Sequence, residues 1–399
     1  MATSTQAPPR RASAAGRPRR RRPPARQSAS RRARRIVLMA AVLCAVPVLA
    51  SYSGVLTATS NSSLGVRTVE WLRDNGARGL VAKVESWYYA AIAPSTGGPA
   101  LRALPHQPGV AASPTAGGAG GAGGPSSYRP PPVQPVIRPA LAGEGVWRST
   151  FVPGGSHPPV LVTSFRSDPA YPQMVVGAAW IDRTRTSTWL YPGRQEPAVT
   201  MPSRGPMEVP TRLRPTLVAT FNSAFKLADS GGGVAIGGHT FAPMKQGLAT
   251  ILRYRNGGVD VRAWTGGADV GPNIIYARQN LPLIVNQGRP NSNLSGGPAW
   301  GVTVGNAIRV WRSAIGVDRY GNLLYIVAND QTVGSLAAAM IHVGAVRAME
   351  LDINSYWPSL ITYRHPGALG AANLLPDMSR STQRYLTPDD RDFFAVYVR

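Results

Sequence analysis

An uncharged apolar run near the N-terminus, IVLMAAVLCAVPVLASYSGVLT at residues 36–57, constrains this chain more than any other feature. A helix needs roughly 20 apolar residues to cross a bilayer, and this run is long enough. Twelve arginines and no acid lie before it, so the positive-inside rule keeps its N-terminal side in the cytoplasm. We expect a basic cytoplasmic tail at 1–35, a transmembrane signal-anchor helix at 36–57 and an extracytoplasmic remainder. The protein would then be a single-pass protein of the cell membrane.

A cleaved signal peptide is the other interpretation of this run. Val48 and Ala50 would serve as the small residues of a passable cleavage site. The basic region before the run is long for a signal peptide, however, and Pro47 interrupts the apolar segment late. The sequence therefore favours the uncleaved anchor.

The arginine-rich tail supplies half of the formal net charge of +24. Arginine clusters can bind the phosphates of nucleic acids. Next to a membrane span, the tail is more simply an orientation signal that contacts anionic lipid headgroups, and we expect no nucleic acid partner. Cys44 is the only cysteine and lies within the apolar run, so the remainder of the chain has no disulfide and no cysteine-based metal site.

Residues 58–94 are predicted to form two helices with a glycine break between them. In the second helix, apolar residues recur at helical spacing along one face: Leu80, Val84, Trp87, Tyr88 and Ala91. This apolar stripe can lie on the membrane, pair with a partner or pack on the main domain. Core packing is our expectation.

A linker rich in Pro, Gly, Ala and Ser at residues 95–143 leads to the last predicted domain, residues 144–399. In that domain ATILRYRNGGVDVRAW, Ala249–Trp264, has a turn signal between two alternating segments, which predicts a β-hairpin. A strand–helix–strand unit with parallel strands is predicted from three consecutive segments: the strand pattern LLYIVA, a helical pattern at 332–344, and the strand pattern VRAMELDIN after it. We expect an α+β fold with a mixed, strand-rich sheet and this βαβ unit near its C-terminus.

Candidate catalytic residues lie at the ends of these two strands. The first strand ends near Asp330, and in the second strand alternation places Glu350, Asp352 and Asn354 on one face. Ligand sites collect beyond the carboxyl ends of parallel strands, so we expect both polar groups at one edge of the sheet. Carboxylates two residues apart on a strand are roughly 6 to 7 Å apart, within the range of paired glycosidase carboxylates. These acids are therefore candidates for acid/base chemistry, and a solvated strand face is the alternative.

Cationic and amide side chains are candidates for substrate binding. Arg312 lies in the apolar strand pattern WRSAIGVD, and a guanidinium matches the paired oxygens of a phosphate. Arg312 is equally well explained as a structural partner of one of the carboxylates. FNSAFKLADSGGG, residues 221–233, places Asn222 and Lys226 beside a glycine-rich turn that lets backbone N–H groups approach a ligand.

Several functional signatures are missing from the sequence. It has no Walker loop, no H-E-x-x-H and no G-x-S-x-G, and its 5 histidines have no close metal-ligand spacing. We therefore expect no cofactor and no metal.

Two segments of the chain together resemble the phosphodiester glycosidase family. They are TLVATFNSAFK and WRSAIGVDRYGNLLYIVANDQTVGSLAAAMIHVGAVRAMELDIN. Members of this family carry an N-G-G-F-type segment, an R-[TS]-A-[IV]-G-[IV]-D segment, a strand ending near an aspartate, a helix and an L-D-G-G-type segment, in this order. The resemblance covers most of 144–399, and it implies site residues at the matching positions: Asn222, Arg312, Asp318, Asp330 and Asp352. This sequence has Ser223 and Ala224, and then Ile353–Ser355, where glycines are typical of the family.

The resemblance implies a hydrolase that cleaves a sugar 1-phosphodiester in a cell-envelope glycan or glycolipid. On this interpretation Asp352, with Glu350 or Asp330, activates water and stabilises the cationic sugar.

On the same interpretation, Arg312 binds the phosphate of the substrate with help from Asn222 and Lys226. Asn354 and Asp318 are further substrate-binding candidates. Tyr356 and Trp357 either form a sugar-stacking wall or close the pocket. The alternative function is a non-catalytic cell-envelope module that binds anionic glycans.

Overall fold

The computed structural model describes residue 1 and residues 27–107, 109–110, 128–151, 157–301 and 309–399. Most of the predicted basic tail (2–26) and part of the predicted linker (108 and 111–127) therefore lie outside the described residues. The chain divides into two compact units, residues 1–58 and residues 59–399.

The α-helices of the described residues are α1 (Gln27–Thr57), α2 (Leu64–Leu72), α3 (Arg78–Ala91), α4 (Leu227–Ser230) and α5 (Val333–His342). Within α1, Ser30–Thr57 is the one stretch of the described chain that is long and apolar enough to cross a membrane, with a mean hydropathy of 2.2. A signal sequence near an N-terminus has the same composition, so this helix is either a membrane anchor or a signal sequence.

The strands, in chain order, are β1 (Arg148–Ser149), β2 (Val160–Arg166), β3 (Val175–Ile181), β4 (Thr186–Tyr191), β5 (Leu217–Asn222), β6 (Val234–Ile236), β7 (His239–Ala242), β8 (Ala249–Tyr254), β9 (Val259–Ala263), β10 (Ile274–Gln279), β11 (Leu283–Asn286), β12 (Arg289–Pro290), β13 (Val310–Val317), β14 (Leu323–Gln331), β15 (Arg347–Ile353), β16 (Leu360–His365), β17 (Leu369–Asn373) and β18 (Phe393–Val398). The predicted hairpin is confirmed, since β8 and β9 pair in antiparallel register on either side of the Asn–Gly–Gly turn.

The strands form one large sheet and two smaller ones. The large sheet has the order β1-β2-β3-β14-β13-β15-β11-β12, and the smaller sheets have the orders β7-β6-β10-β8-β9 and β17-β16-β5-β18-β4. These sheets and the few helices give the predicted α+β class.

The strand–helix–strand unit β14–α5–β15 is present, but its two strands are not neighbours. β13 lies between them and is antiparallel to both, so β14 and β15 point in the same direction without pairing. Each strand pair of the described residues is antiparallel. The expectation of parallel pairing within this unit is corrected by the insertion of β13.

Helix α5 begins and ends where its local sequence directs. The Thr332 hydroxyl accepts a hydrogen bond from the Ser335 N–H, and the Ser335 hydroxyl accepts one from the Thr332 N–H, which together form a capping box. Gly344, with φ 99°, reverses the chain direction just after the helix.

The two faces of the large sheet are buried against different neighbours. Ala314 and Ala348 pack with α5, whereas Ile315 and Met349 lie in the central core together with Phe394 of a smaller sheet. This difference follows from the alternation of side chains along a strand. Because both faces are covered, the central strands are apolar almost throughout.

Helices α2 and α3 are joined at Gly76, where φ is 89°, as the predicted glycine break requires. Tyr89 of α3 packs against Val310 and Ile353, and Val81 is also buried. The apolar stripe lies on another face of α3, and its four largest side chains are exposed: Leu80 (65%), Val84 (57%), Trp87 (73%) and Tyr88 (53%). The expectation that this stripe packs in the core is wrong, because α3 packs through Val81 and Tyr89 instead.

The Gly316→Ala substitution tests how closely α5 packs on β13. An added Cβ would lie 2.6 Å from the Met340 Cε and still closer to the Arg347 carbonyl oxygen, which belongs to the backbone and cannot move aside. We expect a loss of about 1–3 kcal/mol in the free energy of unfolding, measured by urea denaturation. Gly267→Ala is the matched control, since its Cβ would meet no atom within 4 Å. Equal stability of both variants would contradict the described packing.

Candidate active site

Strands β13, β14 and β15 meet at one edge of the large sheet. Val310 at the start of β13 lies opposite Gln331 at the end of β14, and Arg312 lies opposite Ile353 at the end of β15. The carboxyl ends of β14 and β15 therefore flank the beginning of β13. This is the edge at which the sequence predicted the candidate residues to gather.

Arg312 and Glu350 form a buried ion pair just inside this edge. The Arg312 Nη1 lies 2.5 Å from the Glu350 Oε1, and both side chains are completely buried. Arg312 also donates to the carbonyl oxygens of Gln331 (2.9 Å) and Trp300 (3.3 Å). Burial raises the pKa of Glu350 to about 7, although the positive charge of Arg312 opposes the rise. The sequence allowed Arg312 either to bind a phosphate or to pair with one of the carboxylates. The observed ion pair with Glu350 agrees with the second explanation.

Asn222, at the end of β5, is buried and holds the loop that follows it. Its amide nitrogen donates to the Ser223 carbonyl oxygen and to the Ser313 hydroxyl, both at 3.0 Å. Its amide oxygen accepts from the Tyr325 hydroxyl at 2.8 Å and from the Ser359 N–H at 3.0 Å. With all these bonds made inside the protein, Asn222 positions the loop.

Asp352 is attached to that loop and to a second arginine. Its N–H donates to the Ser223 carbonyl oxygen at 3.0 Å, and its Oδ1 accepts from the Ile353 N–H at 2.9 Å. The Oδ2 lies 2.7 Å from the Arg391 Nη2. Burial raises the pKa of Asp352 to about 6; the charge of Arg391 opposes this rise, and the negative charge of Glu70 adds to it.

A cavity of about 350 Å³ opens in front of Asp352. It is formed by the end of β15 with the following loop, the segment before and within α4, Arg391, and the helices α2 and α3. Its polar and aromatic lining consists of Asp352, Asn354, Trp357, Phe225, Lys226, Asp229, Arg391, Glu70, Arg73, Arg78, Glu85 and Tyr89. A cavity of this size with converging charged groups has the form of a small-molecule site.

The cations around this cavity are paired with acids. Lys226 forms an ion pair with Glu70 and lies 3.7 Å from the Asp74 carboxylate. Arg78 lies 2.9 Å from Asp229.

Arg73 likewise forms an ion pair with Glu85 and lies 3.8 Å from Glu70. An anionic ligand would therefore compete with the acids of α2 and α3 for these cations.

Asp318 and Asp330 lie elsewhere. Asp318, at the opposite end of β13, accepts from the Tyr320 N–H (2.8 Å) and the Asn322 N–H (2.9 Å), and so holds the turn between β13 and β14. Asp330 has a φ of 55° and is half-buried, and burial raises its pKa, which the charge of Arg309 opposes. Neither side chain is part of the described lining of the cavity.

Asn354 does line the cavity, and its backbone has a φ of 88°. Its N–H donates to the Trp311 carbonyl oxygen at 2.9 Å, and its side-chain oxygen accepts from the Tyr356 N–H at 3.0 Å. Asparagine tolerates positive φ better than most residues other than glycine. The structure thus brings Asp352, Asn354, Lys226 and Trp357 together at the cavity. It leaves the remaining catalytic and substrate-binding candidates behind or away from the described lining: Glu350, Asp330, Arg312, Asn222 and Asp318.

Arg391 bonds the candidate catalytic carboxylate, yet the sequence patterns did not single it out. It bonds Asp352, donates to the Ala224 carbonyl oxygen at 3.4 Å, and lies with its guanidinium carbon 4.8 Å from the Trp357 ring centre. The sequence feature that could have marked Arg391 is the charged run PDDRD, which lies directly before the apolar strand β18. Four charged residues that precede a buried strand must be paired, and Asp392 indeed bonds the buried Arg278 at 2.8 Å.

Residues 218–352 match the family model described as phosphodiester glycosidase. This segment of the chain is similar to the phosphodiester glycosidase family. The match begins in β5 and ends at Asp352, so it contains the loop after Asn222 and the three strands that meet at the site. The match supports a hydrolase of the glycosidase type.

Solved structures resemble this chain in part. The catalytic domain of the zebrafish N-acetylglucosamine-1-phosphodiester alpha-N-acetylglucosaminidase, auto-inhibited by its pro-peptide, has a TM-score of 0.42 and 13% identity over 62% of this chain and 85% of that chain. A hypothetical protein from Synechocystis has a TM-score of 0.37 and 14% identity over 60% of this chain and 62% of that chain. A search of curated proteins found no match.

Breaking the Arg312–Glu350 pair from one side tests its structural role. Glu350→Leu leaves a buried, unpaired guanidinium, and we expect it to lower the free energy of unfolding by about 3–5 kcal/mol. The double variant Arg312→Met with Glu350→Leu removes both charges, and we expect it to recover most of this loss. Urea denaturation of both variants measures the difference. A single variant as stable as the unsubstituted protein would contradict the buried pair.

Proposed function

We propose that this protein is an extracytoplasmic hydrolase, anchored by α1, that cleaves a sugar 1-phosphodiester of the cell envelope. The observation that carries the proposal is the Asp352 carboxylate, which is almost completely buried and yet lines a cavity with Lys226 and Arg391. The family match supports the reaction class, because the matched region ends at this residue. The oriented carboxylate and the nearby cations are the two groups that the reaction requires.

Asp352 would face the anomeric carbon of the sugar. The bond from this carbon to the phosphate oxygen breaks, and its electron pair leaves with the phosphate. The oxygen of a water molecule bonds to the carbon, and Asp352 accepts a proton from that water while its charge stabilises the cationic sugar. The products are the free sugar and a phosphate monoester. A phosphate monoester is a fair leaving group, so a strong general acid is less necessary.

Lys226 is the candidate residue for binding the phosphate of the substrate, because Arg312 is buried. In the absence of a ligand its charge is neutralised by Glu70. A phosphodiester would take the place of that carboxylate beside Lys226 and gain the charge-assisted contact. Arg391 is already paired with Asp352, so its role is to orient that carboxylate.

Sugar release from a panel of phosphodiester-linked sugars tests the proposal with the full chain in detergent. We expect Asp352→Asn to lower kcat/KM by about 10²–10⁴-fold, because the variant cannot accept the proton of the attacking water. Asp330→Asn is the matched control, since it removes a half-buried carboxylate outside the described lining of the cavity, and we expect its turnover to stay close to that of the unsubstituted protein.

Three results would overturn parts of this assignment. Unchanged turnover in Asp352→Asn would exclude the proposed role of that residue. A loss of turnover in Asp330→Asn alone would assign the catalytic role to Asp330 of β14 instead of Asp352. Binding of the sugars by the unsubstituted protein without any release would favour the non-catalytic module that binds anionic glycans.

The pH dependence of kcat/KM gives a second prediction. The proposed mechanism needs ionised Asp352, so activity should rise with pH through the pKa of about 6. The negative charge of Glu70 raises this pKa, so Glu70→Gln should move the rising limb to lower pH. Glu208→Gln, at an ion pair outside the described cavity lining, is the control that should leave the limb in place. A limb that moves to higher pH in Glu70→Gln would contradict the arrangement.

A further inference from the structure

The apolar stripe of α3 is a concentrated patch of exposed apolar surface. In the described part of 59–399, the large apolar side chains that are exposed, apart from Trp189 and Leu369, lie between Leu64 and Ile92. On α3 and just after it they are Leu80, Val84, Trp87, Tyr88 and Ile92, each more than half exposed. The spacing of Leu80, Val84, Trp87 and Tyr88 places these four along one side of the helix, and Ile92 follows its last residue.

Packing on the protein itself does not cover this stripe, because the opposite side of α3 is already used. Tyr89 packs against Val310 and Ile353, and Arg78 at the start of the helix lies 2.9 Å from Asp229. These contacts fix the rotation of α3 about its axis. The stripe therefore points away from the domain.

We propose that the stripe of α3 lies on the surface of the lipid bilayer, with its apolar side chains at the boundary between headgroups and acyl chains. An amphipathic helix with tryptophan, tyrosine and leucine on one face is the kind of helix that binds there. Tryptophan and tyrosine are also the aromatic residues enriched at membrane–water interfaces.

Chain connectivity gives an independent reason for this partner. Residues 58–63 alone separate the apolar helix α1, which is long enough to cross a membrane, from α2. With α1 as the membrane anchor of the proposed function, the segment that follows it so closely in the sequence begins near the bilayer surface. The stripe is thus presented where lipid is the most abundant apolar partner.

Lys83 favours lipid over a second copy of this chain. It is exposed and lies on the same side of α3 as the stripe, between Leu80 and Trp87. A two-fold contact through the stripe would bury two like charges, and charged residues are depleted at the centre of protein interfaces. At a bilayer surface a lysine instead extends its ammonium group to the headgroups while its stem stays among apolar groups.

The placement also bears on the substrate, and this step rests on the proposed function. Glu85 and Tyr89 of the same helix line the cavity in front of Asp352. A helix with its side chains is about 10 Å across, so the cavity would lie roughly one helix diameter from the headgroups. Sugar phosphodiesters carried at the membrane surface are then the substrate class that reaches the cavity most directly.

Fluorescence of the full chain, reconstituted at one copy per lipid nanodisc, tests the lipid contact without reference to activity. In a Cys44→Ser background, Val84→Cys is labelled with the environment-sensitive dye NBD, and lipids with a nitroxide on the acyl chain serve as quencher. Leu369→Cys is the matched control, since Leu369 is similarly exposed (63%) but lies on β17. We expect the label at position 84 to shift to the blue and lose most of its intensity to the quencher, while the label at 369 does neither.

Water-like emission from both positions would overturn the proposal. A blue shift at position 84 that the lipid quencher does not affect would also overturn it, because protein then covers the stripe. Trp87→Cys provides a second labelling site, should Val84→Cys fail to fold. A quenched label together with no sugar release would leave the membrane contact standing and reject the proposed function alone.

Discussion

The buried ion pair between Arg312 and Glu350 is the interaction on which the arrangement of the site depends. It joins β13 to β15 directly, and through the Gln331 carbonyl oxygen it joins both to β14. Two charges removed from water are tolerated only when their geometry is good and the remaining donors are satisfied. The pair therefore fixes the register of three strands, and Asp352 lies two residues beyond Glu350 on one of them.

Asp352 is held by parts of the chain that are far apart in sequence. Its backbone is attached to the loop after β5, its carboxylate is attached to Arg391 just before β18, and the helices α2 and α3 close the cavity in front of it. The segment that matches the family model contributes the carboxylate and its backbone support. The charge partner and the outer wall come from outside that segment.

The sequence predicted the class of the fold and the edge of the sheet where the site lies, because both follow from local periodicity. A continuous apolar strand, a capped helix and the alternating MELDIN strand are each encoded within a few residues. Alternation assigned Glu350 and Asp352 to one face, but it carries no information about what covers that face. Their separate partners, Arg312 and Arg391, depend on the packing of distant strands. For the same reason the stripe of α3 was recognised as apolar, while its exposure depended on which face of the helix Val81 and Tyr89 would occupy.

The backbone of Asn354 has a φ of 88°, a conformation that glycine adopts easily. The turn after β15 therefore combines a backbone path suited to glycine with a side chain that lines the cavity. A substitution at this position can change the volume of the cavity through one side chain, and the strand that carries Asp352 need not move.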